Sequence, residues 1–112
     1  MFKLKVYLPC YNEEGNIVPL VEEWLAEQEP LLTAGYQLEI IPIDDKSRDN
    51  TLTLIRELES QHPQVRAIAH SENKNLGGGL NTALEDFLST MEGCRSFFLG
   101  RKAVVDSWFV SE

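Results

Sequence analysis

Two adjacent carboxylates, Asp44 and Asp45, stand where the apolar run "LEIIPI" gives way to the polar "DDKSRDN". An ionised oxygen at such a place can accept a hydrogen bond from an N–H group of a ligand such as a nucleobase. A charge-assisted bond of that kind contributes roughly 1.5 to 3 kcal/mol, enough to choose one base over another. The competing use is structural, with one acid capping the next helix and the other solvated.

Two further loops carry residues of the same interest. In "PCYNEEGN", Glu13 and Glu14 lie near a helix start, where a favourable helix-dipole interaction of about 0.3 to 1 kcal/mol already accounts for them. In "HSENKNLGGG" the glycines would let backbone N–H groups approach an anion at a helix start, a weak signal by itself. The dinucleotide fingerprint belongs directly after the first strand, and "PCYNEEGN" lacks its glycine spacing, which argues against a nicotinamide enzyme. His62 and His70 are isolated and read as turn or surface residues. Cys10 and Cys94 show no paired spacing and read as reduced thiols.

Three strand-then-helix units must position these loops. Leu4, Val6 and Leu8 alternate with Lys3, Lys5 and Tyr7, the period of a strand covered on one face. From Asn16, the residues Ile17, Leu20, Val21, Trp24 and Leu25 form a helical stripe. "PLLTAGY" reads as a connection, and "LEIIPI" as a sheet strand buried on both faces, with Pro42 counting against it. Asp49 or Asn50 would cap a helix carrying Leu54, Ile55 and Leu58, closed by "QHPQ". "VRAIAH" is a third strand, "SENKNLGGG" a loop, and Leu80, Ala83, Leu84, Phe87 and Leu88 the stripe of a third helix. Such alternation predicts an α/β fold in three layers, a mostly parallel sheet with helices on both faces joined by right-handed crossovers. In an open sheet of this kind, ligands bind beyond the carboxyl ends of the strands, where all three polar loops fall.

The bulk properties narrow the function. A chain of 112 residues with 43% hydrophobic content has room for one core. A net charge of −8 opposes non-specific binding to nucleic acid or to an anionic membrane surface, so no nucleic-acid partner is expected. Without a run of about 18 apolar residues, the expected location is the cytoplasm or the cytoplasmic face of a membrane. The acid excess stops at Gly93, and Phe97 to Leu99 read as a fourth strand. The division predicted is therefore 1–92, the α/β segment, and 93–112, a divergent C-terminal segment.

Taken together and in this order, "VYLPCYNEEGNI", "IIPIDDKSRDNT" and "NKNLGGGLNTAL" resemble the N-terminal half of family 2 glycosyltransferases of the GT-A, Rossmann-like fold. The likeness extends to the dolichyl-phosphate and polyprenyl-phosphate sugar synthases of that family and covers roughly residues 3 to 90. It implies a UDP- or GDP-linked sugar donor, a divalent cation (Mg2+ or Mn2+), inverting transfer of a hexosyl group, and a lipid-phosphate or glycan acceptor. By the same resemblance Pro9, Tyr11 and Glu13 line the nucleotide pocket, Ile43 and Asp45 hold the base with Asp44 supporting the loop, and Gly77, Gly78 and Gly79 pass near the sugar-diphosphate.

Two departures bear on these expectations. Lys46 stands where the family usually has glycine after the two acids. The family's D-x-D metal motif, due about twenty residues beyond the glycines, is replaced by Gly100, Arg101 and Lys102, and Asp106 comes too late to serve. A carboxylate about 6 Å from a phosphate charge repels it by roughly 3 kcal/mol at an effective dielectric near 20. The family offsets such repulsion with the cation. No metal ligand and no catalytic residue is therefore assigned, and this chain alone is expected to be a truncated, inactive donor-binding half. The alternative expectation is a non-catalytic interaction module that dimerises through "VVDSWFVSE". A receiver-like phosphoacceptor domain is excluded by order, since its acid pair follows the first strand and its third strand ends in an acid where this chain has His70.

Overall fold

Strand β1 (Phe2–Cys10) sends Leu4, Val6, Leu8 and Cys10 to one side of the sheet and Lys5 and Tyr7 to the other, and both sides are buried. The computed structural model describes residues 2–90, 94–100 and 107–111, with backbone course alone for residue 76 and for those beyond 90. Around β1 run α1 (Ile17–Ala26), α2 (Gln28–Thr33), β2 (Tyr36–Asp44), α3 (Thr51–Gln61), β3 (Ile68–Ala69), α4 (Asn75–Ser89), β4 (Cys94–Gly100) and β5 (Ser107–Ser111). The sheet order is β3-β2-β1-β4-β5, parallel except for β5, which runs antiparallel to β4.

The three predicted layers are present. On one face, Ile17, Val21 and Trp24 of α1 and Ile55 and Leu58 of α3 pack on Leu4, Val6, Leu8, Leu38 and Ile40. On the other, Ala83 and Phe87 of α4 cover Tyr7, Ile41 and Ile43. Each such large apolar side chain taken from water favours the folded chain by roughly 1.5 to 3 kcal/mol. Leu84 and Leu88, read as part of the α4 stripe, stay exposed.

β1 is thus covered on both faces, not one. Its second face carries charge because partners meet it there. Lys5 Nζ donates to Glu39 at 3.0 Å and to Thr90 Oγ1 at 2.7 Å, and the Tyr7 hydroxyl donates to Asp86 at 2.6 Å. Arg66 clamps Asp86 through two nitrogens, at 3.0 and 2.7 Å. The Asp86 bond and the desolvation of the ring push the Tyr7 phenol well above its usual range, burial being the larger cause.

Three local readings differ from the structure. "PLLTAGY" contains the end of a short helix, α2, because Pro30 falls in its first turn, where no intrahelical N–H bond is lost; Gly35 (φ 92) then turns the chain into β2. "VRAIAH" keeps only Ile68–Ala69 as strand, plus a bridge from Val65 to Ile40. Ile40 and Asp44 turn their backbone bonds toward β3, so Pro42, two residues from each, lacks its donor on that side and interrupts the ladder. The glycine run is not loop, since α4 begins at Asn75 and takes Gly77, Gly78 and Gly79 into its first turns. The predicted basic pair Arg101 and Lys102, and Asp106, lie outside the described residues.

Candidate functional site

A cleft of about 660 Å³ opens beyond the carboxyl ends of β1 and β2 and reaches the first turns of α4. Pro9, Tyr11, Ile43 and Asp45, all singled out from sequence, line it, together with Lys46, Arg48, Glu72, Asn73, Asn75 and Gly79. Ile43 is fully buried and forms floor only, while Tyr11 is 40% exposed and forms rim. Glu13, Asp44, Gly77 and Gly78 are not among the lining residues.

The rim is held by cross-bonding between the β1–α1 and β2–α3 loops. The Asn12 N–H donates to Ser47 Oγ at 2.9 Å, and the Arg48 N–H donates to Asn12 Oδ1 at 2.8 Å. The Glu13 N–H reaches Thr51 Oγ1 at 2.8 Å, and the Asn50 N–H reaches Glu14 Oε2 at 3.3 Å. The Glu13 carboxylate accepts from Asn16 Nδ2 at 3.2 Å. Asp49, not Asn50, supplies the side-chain cap of α3, accepting the Thr51 N–H at 2.9 Å. Lys46 sits at φ 57, the left-handed conformation that favours glycine, so the residue departing from the family pattern occupies a backbone position where a side chain is strained.

Asp45 is drawn to the opposite loop. Its Oδ1 accepts the Lys74 N–H at 2.6 Å and faces His70 Nδ1 at 2.9 Å; its Oδ2 accepts the Asn75 N–H at 2.8 Å. The carboxylate thereby caps α4, whose first N–H groups have no intrahelical acceptor. Burial pushes this carboxyl up, but the bonds from His70, Lys74 and Asn75 outweigh it and hold the group below the usual carboxylate range. A carboxylate offers about four lone-pair sites; three are taken, and the fourth, on Oδ2, has no partner among the described residues.

Asp44 points to the other face. Its Oδ2 accepts the Ser47 N–H at 3.2 Å, and its buried Oδ1 has no hydrogen-bond partner among the described residues. His70, read as a turn or surface residue, is buried between Asp45 and Thr82, with Nε2 2.7 Å from Thr82 Oγ1. Its position at the carboxyl end of a strand was the one sequence signal for that role. Asn73 also escaped the sequence reading; its Nδ2 donates to the Asp45 carbonyl at 3.1 Å.

Gly79 brings helix and sheet together at the cleft floor: a Cβ there would lie 3.3 Å from Pro9 Cβ. A Cβ on Gly78 would fall 2.1 Å from Lys74 Cβ and 3.3 and 3.4 Å from its Cγ and Cδ, so this glycine makes way for the Lys74 stem. Gly77 has open space beside it.

A mostly parallel sheet with helices on both faces and a loop-built cleft at its carboxyl edge defines the open α/β class, in which ligands bind beyond the carboxyl ends of the strands. Within that class, the family model for Glycosyl transferase family 2 matches residues 5–107, and the chain belongs to this family. It is 35% identical over 98 residues to a chondroitin synthase from Escherichia coli, covering 88% of this chain and 12% of that protein. It is 34% identical over 74 residues to a dolichyl-phosphate beta-glucosyltransferase from Trichomonas vaginalis, covering 64% of this chain and 21% of the other. The mannosyltransferase PcManGT from Pyrobaculum calidifontis, in complex with GDP-Man and Mn2+, shares the fold with a TM-score of 0.67 at 22% identity over 87% of this chain and 26% of its own. TarS from S. aureus in complex with UDP does so with a TM-score of 0.64 at 24% identity, over 88% of this chain and 26% of its own. The chain spans 12% to 28% of the curated relatives it matches.

A divalent cation suits a cluster of carboxylates with free oxygens. Asp45 and Glu72 are the acids among the described lining residues, and both Asp45 oxygens already accept N–H bonds. Among the described residues no three His, Cys, Asp or Glu side chains gather. The described donor set does not fit the metal. Among the described residues, too, no helix is long and apolar enough to cross a membrane.

Proposed function

We propose that the cleft beyond β1 and β2 binds the nucleotide of a UDP- or GDP-linked sugar, as the donor site of an inverting family 2 glycosyltransferase. The observation that carries this reading is the convergence of Tyr11, Pro9 and the unsaturated Oδ2 of Asp45 on one cleft at the carboxyl edge of the sheet. Asp45 accepts an N–H from the base edge, which for uracil or guanine lies beside a carbonyl. The Tyr11 ring borders the base, and its apolar face excludes water from that bond. The first turns of α4, which reach the cleft at Asn75 and at the side-chain-free Gly79, face the phosphates, toward which helix N–H groups are favourably directed.

Binding energy gathered at the nucleotide holds the sugar's anomeric carbon for attack, the positioning part of catalysis. In the family setting the hexosyl group passes with inversion to a lipid-phosphate or glycan acceptor. Two of the relatives' names support the lipid-phosphate class, the dolichyl-phosphate and undecaprenyl-phosphate transferases. No residue of this chain is assigned as catalytic base.

Calorimetric titration with UDP, GDP, CDP and ADP tests the reading. UDP or GDP is expected to bind, CDP and ADP at least tenfold more weakly, and Tyr11→Ala is expected to weaken the preferred nucleotide about tenfold while leaving thermal stability unchanged. Folded protein that binds neither UDP nor GDP at millimolar concentration would overturn it.

A further inference from the structure

In a chain of net charge −8, cations without acid partners are out of place unless something else neutralises the surrounding acids. Of the described basic side chains, Lys5, Arg56 and Arg66 pair with acids, and Lys3 has a partner as well. Among the described residues, the side chains of Lys46, Arg48 and Lys74 have none. Two of them line the cleft and the third adjoins it. Lys46 and Arg48 line it on the β2–α3 loop, and Lys74 stands between the lining residues Asn73 and Asn75 at the start of α4.

Most of the acids nearby are occupied in a way the cations are not, Glu72 on the cleft wall being the exception among the described residues. Glu14 and Asp49 accept backbone N–H bonds within the crossed loops, Glu13 accepts from Asn16, and Asp45 caps α4. Two of the three cations are also held at some local expense. Lys46 keeps a left-handed φ of 57, and Lys74 is accommodated because position 78 carries no side chain. Two unpaired positive charges lining the cleft, with a third at the edge of its lining at the start of α4, complement a ligand with two or more negative charges.

We propose that Lys46, Arg48 and Lys74 pair directly with the diphosphate of the bound nucleotide, so that this cleft holds its ligand without a divalent cation. The inference rests on the donor-site reading above and adds the source of the compensating charge. Lysine and arginine supply charge-assisted hydrogen bonds to phosphate oxygens, and their effect is screened by salt where the side chains are exposed. They neutralise the diphosphate; they do not reproduce a metal's fixed coordination.

The test is calorimetric titration of the intact chain with UDP and GDP, and with uridine and guanosine, in excess EDTA and in Mn2+. Equal nucleotide affinity in both conditions is expected, falling as NaCl is raised. Lys46→Gly combined with Lys74→Gln is expected to weaken the diphosphate at least about fivefold and the nucleoside less than about twofold. Lys46→Arg combined with Lys74→Arg is expected to keep most of the diphosphate affinity, which a merely structural role for the two positions would not predict. Nucleotide binding that requires Mn2+, or that survives charge removal undiminished in a folded variant, overturns the inference while leaving the donor-site reading intact. Absence of both nucleotide and nucleoside binding overturns both.

Discussion

Replacing Asp45 by asparagine tests whether this side chain is first a structural cap. The carboxylate holds three donors, His70 Nδ1 and the Lys74 and Asn75 N–H groups, at 2.9, 2.6 and 2.8 Å. An asparagine amide oriented to keep the two Oδ1 bonds turns its NH2 toward the Asn75 N–H, donor against donor. The orphaned N–H costs about 1 to 3 kcal/mol. Loss of negative charge at the α4 N-terminus adds about 0.3 to 1 kcal/mol. Together Asp45→Asn is expected to destabilise the chain by about 1.3 to 4 kcal/mol, read as a lower urea midpoint with an unchanged m value. The pH dependence has a definite sign. Because the folded carboxyl sits below its ordinary value of 3.8, its contribution is complete above that value and disappears as pH falls through the lower folded one. Asparagine does not titrate, so the gap between wild type and variant should narrow on acidification below the ordinary carboxyl value of 3.8. A loss under about 0.5 kcal/mol at neutral pH, or a gap indifferent to acid, would refute the cap.

The glycines of α4 should respond unequally to alanine. Gly77→Ala meets open space and is expected to raise stability by up to about 1 kcal/mol, whereas Gly78→Ala, with its Cβ 2.1 Å from Lys74 Cβ, is expected to lower it by about 1 to 3 kcal/mol; thermal melts of both check the order. Lys46→Gly relieves the left-handed strain at φ 57 and is expected to raise stability by about 0.5 to 1.5 kcal/mol even as nucleotide affinity falls, so a lower melting temperature would count against the strain argument.

Periodicity made the layers legible. Ile17, Val21 and Trp24, and separately Ile55 and Leu58, are buried where a helical stripe places them, and the nearly unbroken "LEIIPI" is a strand buried on both faces. What stayed illegible was contact between segments far apart in sequence. Lys5 and Tyr7 look like an outer face until β2 sets Glu39 beside Lys5 and α4 and the segment leading into β3 bring Asp86, Thr90 and Arg66 over them. His70 looks isolated because its partners, Asp45 and Thr82, are 25 and 12 residues away. The glycine run reads as loop by composition, yet close approach of α4 to Pro9 requires a residue without a side chain at Gly79.

The different duties of the paired acids follow from the two-residue period of a strand. β2 directs Leu38 and Ile40 toward α1 and α3 and directs Ile41 and Ile43 toward α4. Continuing the alternation sends Asp44 to the first side, against Ser47, and Asp45 to the second, where α4 begins. Neither acid can substitute for the other, because a shift of one residue reverses the face. Capping and ligand binding are compatible at Asp45 for the same geometric reason: the donors that fix its orientation approach from α4 and His70 and leave one lone pair of Oδ2 uncommitted. A side chain already ordered by three bonds loses little further freedom when a fourth donor arrives, so its bond to a ligand is opposed by less conformational entropy than that of a mobile surface acid.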